Sequence, residues 1–281
     1  MTAGAEAGRS RPPATEAHHS IRRISLVLAR LLTVVWLIPP LAPWARHYEF
    51  AEALQFSFFA IVIPALAVIG SPWALLGLAS SGPDPIDDDG QPLAEPGASG
   101  PADRLARARR RHPEILRAAS FGCLYLAGAI LWRTPFAVDG LVRHPWLVAV
   151  EAATLVAVGV GLWLELVESP PLTPRLPRPA RVAMAAVSMW AIWVLAYLVG
   201  LSHASWYPAY PHHAGTGLSL SADQQLTTGM MWFVSACAFI PVVYWNLVRW
   251  LQSEDDPDEE LHHLMRQERI RGRTLGPGST Q

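Results

Sequence analysis

The sequence predicts an all-α fold, a polytopic membrane helix bundle of about six transmembrane helices with both termini in the cytoplasm. Three observations carry that expectation. The chain of 281 residues is 51% hydrophobic and 16% charged, against roughly 25% charged for an average soluble domain. Its apolar residues fall in six blocks, each near the ~20 helical residues that cross a bilayer core. Its basic residues, 22 arginines and no lysine, gather on alternate connections between those blocks, as the positive-inside rule requires. A net charge of −1 offers no electrostatic basis for a nucleic-acid partner.

The expected spans are 24–44, 50–79, 115–132, 145–167, 181–202 and 225–250. The first follows Arg22 and Arg23 and resembles a signal peptide. Its apolar run is long for an h-region and is interrupted by Arg30, so it reads as a retained anchor. Proline marks several spans: Pro39, Pro40 and Pro43 near the end of the first, Pro64 in the second and Pro241 in the last. Such positions persist in lipid where neighbouring groups satisfy the freed carbonyls. With a cytoplasmic N-terminus, eighteen arginines fall inside, Arg46, Arg133 and Arg143 fall outside, and Arg30 lies in the membrane. Trp36, Trp44, Trp132, Trp146, Trp206 and Trp250 sit near the boundaries, where indole rings prefer to lie.

The remaining pieces divide by composition. Residues 1–20 read as a disordered cytoplasmic N-terminus, 21–251 as the membrane bundle and 252–281 as a charged cytoplasmic tail. The segment 80–113 is a disordered insert, rich first in proline and acid and then in arginine from Arg104 to Arg111; that run suits an anionic inner leaflet. Cys123 and Cys237 have no metal spacing and read as buried small residues. No phosphate loop or hydrolase motif is present.

Polar groups inside spans cost roughly 2.5–3.5 kcal/mol each on insertion scales, so their placement is informative. Glu49, Glu52 and Gln55 open the second span, Glu151 lies near the start of the fourth, Asp223, Gln224 and Gln225 open the sixth, and His203 closes the fifth. Beyond His203 come Trp206, Tyr207, Tyr210, His212 and His213, an ordered loop with solvated histidines. Four helices thus bring polar groups to one outer layer. A shared polar site explains them economically, because buried carboxylates must be paired, ligated or protonated; interhelical hydrogen bonding is the plainer alternative. Met230 and Met231 suit either a Cu(I) pocket or packing. Glu165 and Glu168, at the inner end of the fourth span, have Arg175, Arg178 or Arg249 as expected partners.

These residues resemble the CtaG-like family of cytochrome c oxidase assembly factors. The likeness lies in Tyr207-Pro-Ala-Tyr210, in Leu218 to Asp223-Gln224-Gln225, in Gly229 with Met231-Trp232, and in Arg249-Trp250-Leu251. Gln55, Pro64 and Gly70-Ser71-Pro72 match the second span, and Pro135 through Glu151 to Trp163 match the middle helix, so most of 24–251 is covered. The resemblance implies a non-enzymatic factor in a bacterial inner membrane that supports copper insertion or oxidase maturation, with cytochrome c oxidase subunits and the lipid bilayer as partners. The family's His-x-x-Gln-His is here Glu52-Ala-Leu-Gln55-Phe56, and the position after Glu151, often His, is Ala152. A copper ligand set in this chain would therefore be Asp223, His203, Glu52 and Glu151. Two alternatives stand beside it: a proton-coupled carrier using intramembrane carboxylates, or a paralogous scaffold that no longer binds metal.

Overall fold

A computed structural model of the protein describes residues 13–38, 41–74, 114–169, 172, 174, 176–201, 206–210 and 218–254. Among them there is no strand, and a lone bridge joins Ser169 to Leu172. The chain runs through α1 (Pro13–Leu37), α2 (Leu41–Ala45) and α3 (Glu49–Ser57), then a π-helical turn (Phe58–Val62), α4 (Ile63–Gly70) and a 3-10 turn (Pro72–Ala74). It continues through α5 (Glu114–Trp132), α6 (Pro135–Arg143), α7 (Leu147–Leu166), α8 (Arg178–Gly200) and α9 (Leu220–Glu254). The expected insert 80–113 and most of the 252–281 tail lie outside the described residues, whereas α1 begins at Pro13, within the stretch assigned to the N-terminal tail.

Five helical stretches are long and apolar enough to cross a membrane: Glu49–Gly70, Ile115–Trp132, Leu147–Leu166, Arg178–Gly200 and Leu220–Gln252. Five of the six expected spans are thereby found, and the first differs. Residues 24–44 divide at Leu37 into α1 and the short α2, and α1 carries Arg22, Arg23 and Arg30 among its apolar residues. Side chains such as Val187, Trp190, Val194, Leu198, Phe233 and Ile240 stand exposed on α8 and α9. Apolar surface of that extent requires a hydrocarbon environment. Cys123 and Cys237 are exposed on this surface, correcting their expected burial: an apolar block in a membrane has a lipid face as well as a core.

The stretch from α3 to α4 is the hub, packing on α1, α7 and α9. Its π-helical turn immediately precedes Pro64, which lacks the N–H that would bond to the Ala60 carbonyl. At this point α7 comes very close. A Cβ on Gly159 would lie 2.6 Å from Pro64 Cγ and 2.9 Å from the Ala60 oxygen, so glycine is what permits the contact. Glu52 and Glu151 each lie eight residues before this contact. The two helices run in the same direction, which puts both acids at similar depth.

Two polar contacts close the hub's neighbours onto it. Near the end of α1, Gln55 Nε2 donates to the Trp36 carbonyl at 2.8 Å. At the other end, Ser71 adopts the left-handed conformation (φ 48°) that ends α4. Ser169 stands beside it, donating to the Val68 carbonyl at 2.5 Å, accepting from Trp73 Nε1 at 2.7 Å and lying 3.0 Å from the Ser71 hydroxyl. The Gly70-Ser71-Pro72 exit is thus tied to the end of α7.

Candidate functional site: a buried ionic cluster at one end of the bundle

The starts of α3, α7 and α9 and the end of α5 meet at the same end of the bundle. Glu49, Glu52, Glu151 and Asp223 are all buried there, at 1%, 2%, 0% and 6% exposure. Of the four candidate ligands, Glu52 and Glu151 lie within electrostatic reach of each other, and Asp223 bonds to the first amides of the helix that carries Glu52. His203 lies outside the described residues.

Asp223 has a definite structural task. Its Oδ2 accepts from the Glu49 amide at 3.0 Å and its Oδ1 from the Phe50 amide at 2.9 Å. Those amides open α3, whose own N-cap residue, Tyr48, contributes no side-chain bond. A carboxylate from a distant helix thus caps α3 and sits at the positive end of its dipole. The helix that carries Asp223 is started by Ser219, whose Oγ accepts from the Ala222 amide at 3.2 Å. Replacing Asp223 by Ala is expected to lower stability by about 1 kcal/mol, read as a lower unfolding midpoint in mild detergent. Asp223→Asn, which keeps an acceptor, loses less, and an unchanged midpoint in Asp223→Ala refutes the capping role.

The centre of the cluster is Arg133, which the sequence placed in an outer loop. That position is corrected: Arg133 is 2% exposed and forms an ion pair with Glu52 through Nη1. Its guanidinium lies 5.5 Å from the Phe56 ring centroid and 5.1 Å from that of Tyr207, distances at which a cation is attracted to the ring faces. The chain turns inward here because Thr134 caps α6, accepting from the Ala137 amide at 3.3 Å, with Pro135 in the first turn. The available sequence signal was local. Arg133 directly follows Trp132 at a span end and is held by a helix start one residue later, which leaves it little room to reach water.

Tyr207 and Tyr210 close the cluster. The Tyr207 hydroxyl donates to the Arg133 carbonyl and the Tyr210 hydroxyl to the Ala45 carbonyl, each at 3.0 Å. The Ala209 amide donates to Asp139 at 3.0 Å, so the 206–210 loop is ordered, as expected, by packing on α6. Burial pushes both tyrosine hydroxyls above their ordinary range, and each acts as a neutral donor.

What distinguishes the cluster from ordinary interhelical bonding is its excess of acceptors. Among the described residues, both oxygens of Glu151 and one each of Glu49 and Glu52 have no hydrogen-bond partner, against two unpartnered nitrogens, Nε and Nη2, on Arg133. Glu151 lies within electrostatic reach of Glu52 and Arg133. Three buried carboxylates therefore surround one guanidinium, and uncompensated acids in a low-dielectric layer call for a proton, a cation or a partner group. Gln55 and Gln225 do not contribute: Gln55 faces α1, and Gln225 is exposed. Met231 packs in the core.

A resident copper ion fits this donor set poorly. Asp223 commits both oxygens to backbone amides and Glu52 pairs with Arg133. Among the described residues no three His, Cys, Asp or Glu side chains converge as a metal centre would need. The donors are hard carboxylates, whereas Cu(I) favours His, Met or thiolate.

The other expected ion pairs are also revised. Glu165 pairs with Arg117, with Nε to Oε1 at 2.8 Å and Nη2 to Oε2 at 2.9 Å. Glu168 lies 3.9 Å from Arg181. Arg178 donates to the Arg249 carbonyl at 3.1 Å, and Arg175 is outside the described residues. Arg117 is on the first turns of α5 facing α7, so its closest acid is on that neighbouring helix.

The fold and this cluster define a polytopic helical membrane protein with a buried ionic site at one end. No curated protein and no solved structure matches the chain. The family model for the cytochrome c oxidase caa3 assembly factor (Caa3_CtaG) matches residues 3–253, and the chain belongs to that family.

Proposed function

We propose that this protein supports cytochrome c oxidase maturation in a bacterial inner membrane, acting as a non-enzymatic scaffold whose acidic end engages an oxidase subunit. Family membership supports the oxidase as partner. The observation that carries the site is the pair of Glu151 oxygens that lack a partner among the described residues, beside the Glu52–Arg133 pair. Copper, on this reading, is cargo of the maturing oxidase rather than a resident of the described residues, whose donor set suits it poorly. The positive-inside rule puts the arginine-rich end in the cytoplasm and the acidic end on the outer side.

Gene deletion with complementation tests the proposal. Loss of the haem–copper oxidase spectrum at limiting copper, restored by wild type and not by Glu151→Leu, is the expected result. Normal oxidase in the deletion strain overturns the assembly role. Metal analysis of the purified protein is expected to find no stoichiometric copper, and copper that disappears in Asp223→Ala would overturn the scaffold reading. The buried, unpartnered carboxylate also favours a proton-coupled carrier as a second reading; a proteoliposome proton flux that depends on Glu151 would establish it.

A further inference from the structure

At the end of the bundle opposite the acids, α4, α7, α8 and α9 line a half-open cavity of about 360 Å³. Its walls divide by chemistry. Ile69, Leu166 and Val242 provide an apolar side, where Pro241 interrupts the regular course of α9. Arg178, Arg181 and Arg249 provide a basic side.

These cations are held in place. Arg178 donates to the backbone of Arg249, and the Arg249 guanidinium lies over the Trp245 ring at 4.7 Å. Arg181 donates through Nε to the Leu176 carbonyl at 2.8 Å and through Nη2 to the Pro174 carbonyl at 3.0 Å. The acid lining the cavity, Glu168, is 72% exposed and 3.9 Å from Arg181, while Glu165 is engaged by Arg117. Among the described residues, three guanidiniums thus line the cavity with one loosely held carboxylate, an imbalance that favours an anion among them.

The surroundings identify the anion's carrier. Tyr244 and Trp245 are exposed at 67% and 60%, as aromatic side chains are at the level of lipid headgroups. Ile240 continues an exposed apolar face along α9 towards the bilayer core. A free phosphate would satisfy the arginines and leave the apolar wall uncovered. A phospholipid covers both, with its phosphate among the guanidiniums and its acyl chains along α9.

We propose that this cavity is a binding site for an anionic phospholipid. The inference is independent of the acidic end and of the oxidase-maturation reading. It is tested on the delipidated full-length protein in neutral detergent, titrated with phosphatidylglycerol, phosphatidylcholine or inorganic phosphate. Bound lipid is counted by native mass spectrometry, and thermal midpoints are followed in parallel. Phosphatidylglycerol is expected to be retained at least tenfold better than phosphatidylcholine, and Arg178→Gln/Arg249→Gln is expected to lower that retention by roughly tenfold or more. Arg143→Gln, an exposed arginine at the opposite end, retains lipid like wild type. Should the double variant misfold, Arg249→Gln alone gives the same direction. Equal retention of the two lipids, unchanged retention in the arginine variants, or full protection by inorganic phosphate alone overturns the proposal.

Discussion

Replacing Arg133 by Met is expected to destabilise the protein by about 3–5 kcal/mol, the usual cost of removing one partner of a buried ion pair. The guanidinium is paired with Glu52 and rests against the faces of Phe56 and Tyr207. Without it, Glu49, Glu52 and Glu151 lose the cation they surround. Heat or denaturant unfolding in mild detergent measures the loss. Arg133→Lys is expected to fall between, because an ammonium keeps the charge but not the planar contact with two rings. In Arg133→Met/Glu52→Leu the pair itself becomes apolar, but Glu49 and Glu151 stay buried without their cation, so only part of the stability should return. Oxidase maturation should not return with it, because the buried charge pattern is the feature proposed to serve that role. A double variant that restores both stability and oxidase would show the pair to be structural alone.

A comparable loss, again about 3–5 kcal/mol, is expected from Arg117→Leu. Here the arginine grips both oxygens of Glu165, which is 0% exposed, and its removal leaves that carboxylate without its guanidinium. Arg117→Leu/Glu165→Leu is expected to regain wild-type stability or exceed it by about 1–4 kcal/mol, since buried pairs replaced by apolar groups are often neutral or stabilising. Oxidase maturation should stay near normal in that double variant. A single-contact pair at the acidic end and a two-bond pair at the arginine-rich end thereby separate into a functional and a structural one. A functional loss in the Arg117/Glu165 double variant, with stability retained, would erase that distinction.

Much of the architecture was legible in the chain because lipid imposes a simple requirement. Every backbone group in the bilayer must bond internally, so long apolar runs can only be helices. The runs at 115–132, 145–167, 181–202 and 225–250 correspond closely to α5, α7, α8 and α9, and 50–79 to the hub from α3 to α4. The first run was harder to place. Arg22, Arg23 and Arg30 dilute its apolar content, and Pro39, Pro40 and Pro43 divide its end, so composition and length conflict there.

The placement of Glu52, Glu151 and Asp223 at one end of the bundle was also readable, because positive-inside topology assigns each helix start to a side. Their partners were not readable. Pairing in a bundle depends on which helix faces approach and at what depth, and those follow from contacts such as Gly159 against Pro64. Arg133 counted in the sequence as an outer-loop charge and Arg117 as one of the eighteen inside arginines, yet each is buried against a carboxylate on a neighbouring helix.

By itself, then, the sequence determined that this protein is a helical membrane bundle with acids gathered at one end and arginines at the other, since hydrophobicity and charge act on each segment separately. The tertiary structure alone decided that Asp223 caps a distant helix, that Arg133 is the counter-ion of the acidic end, and that three arginines frame a cavity at the other. Those are properties of pairs of helices, and the contacts that make them join residues 71 to 174 positions apart along the chain.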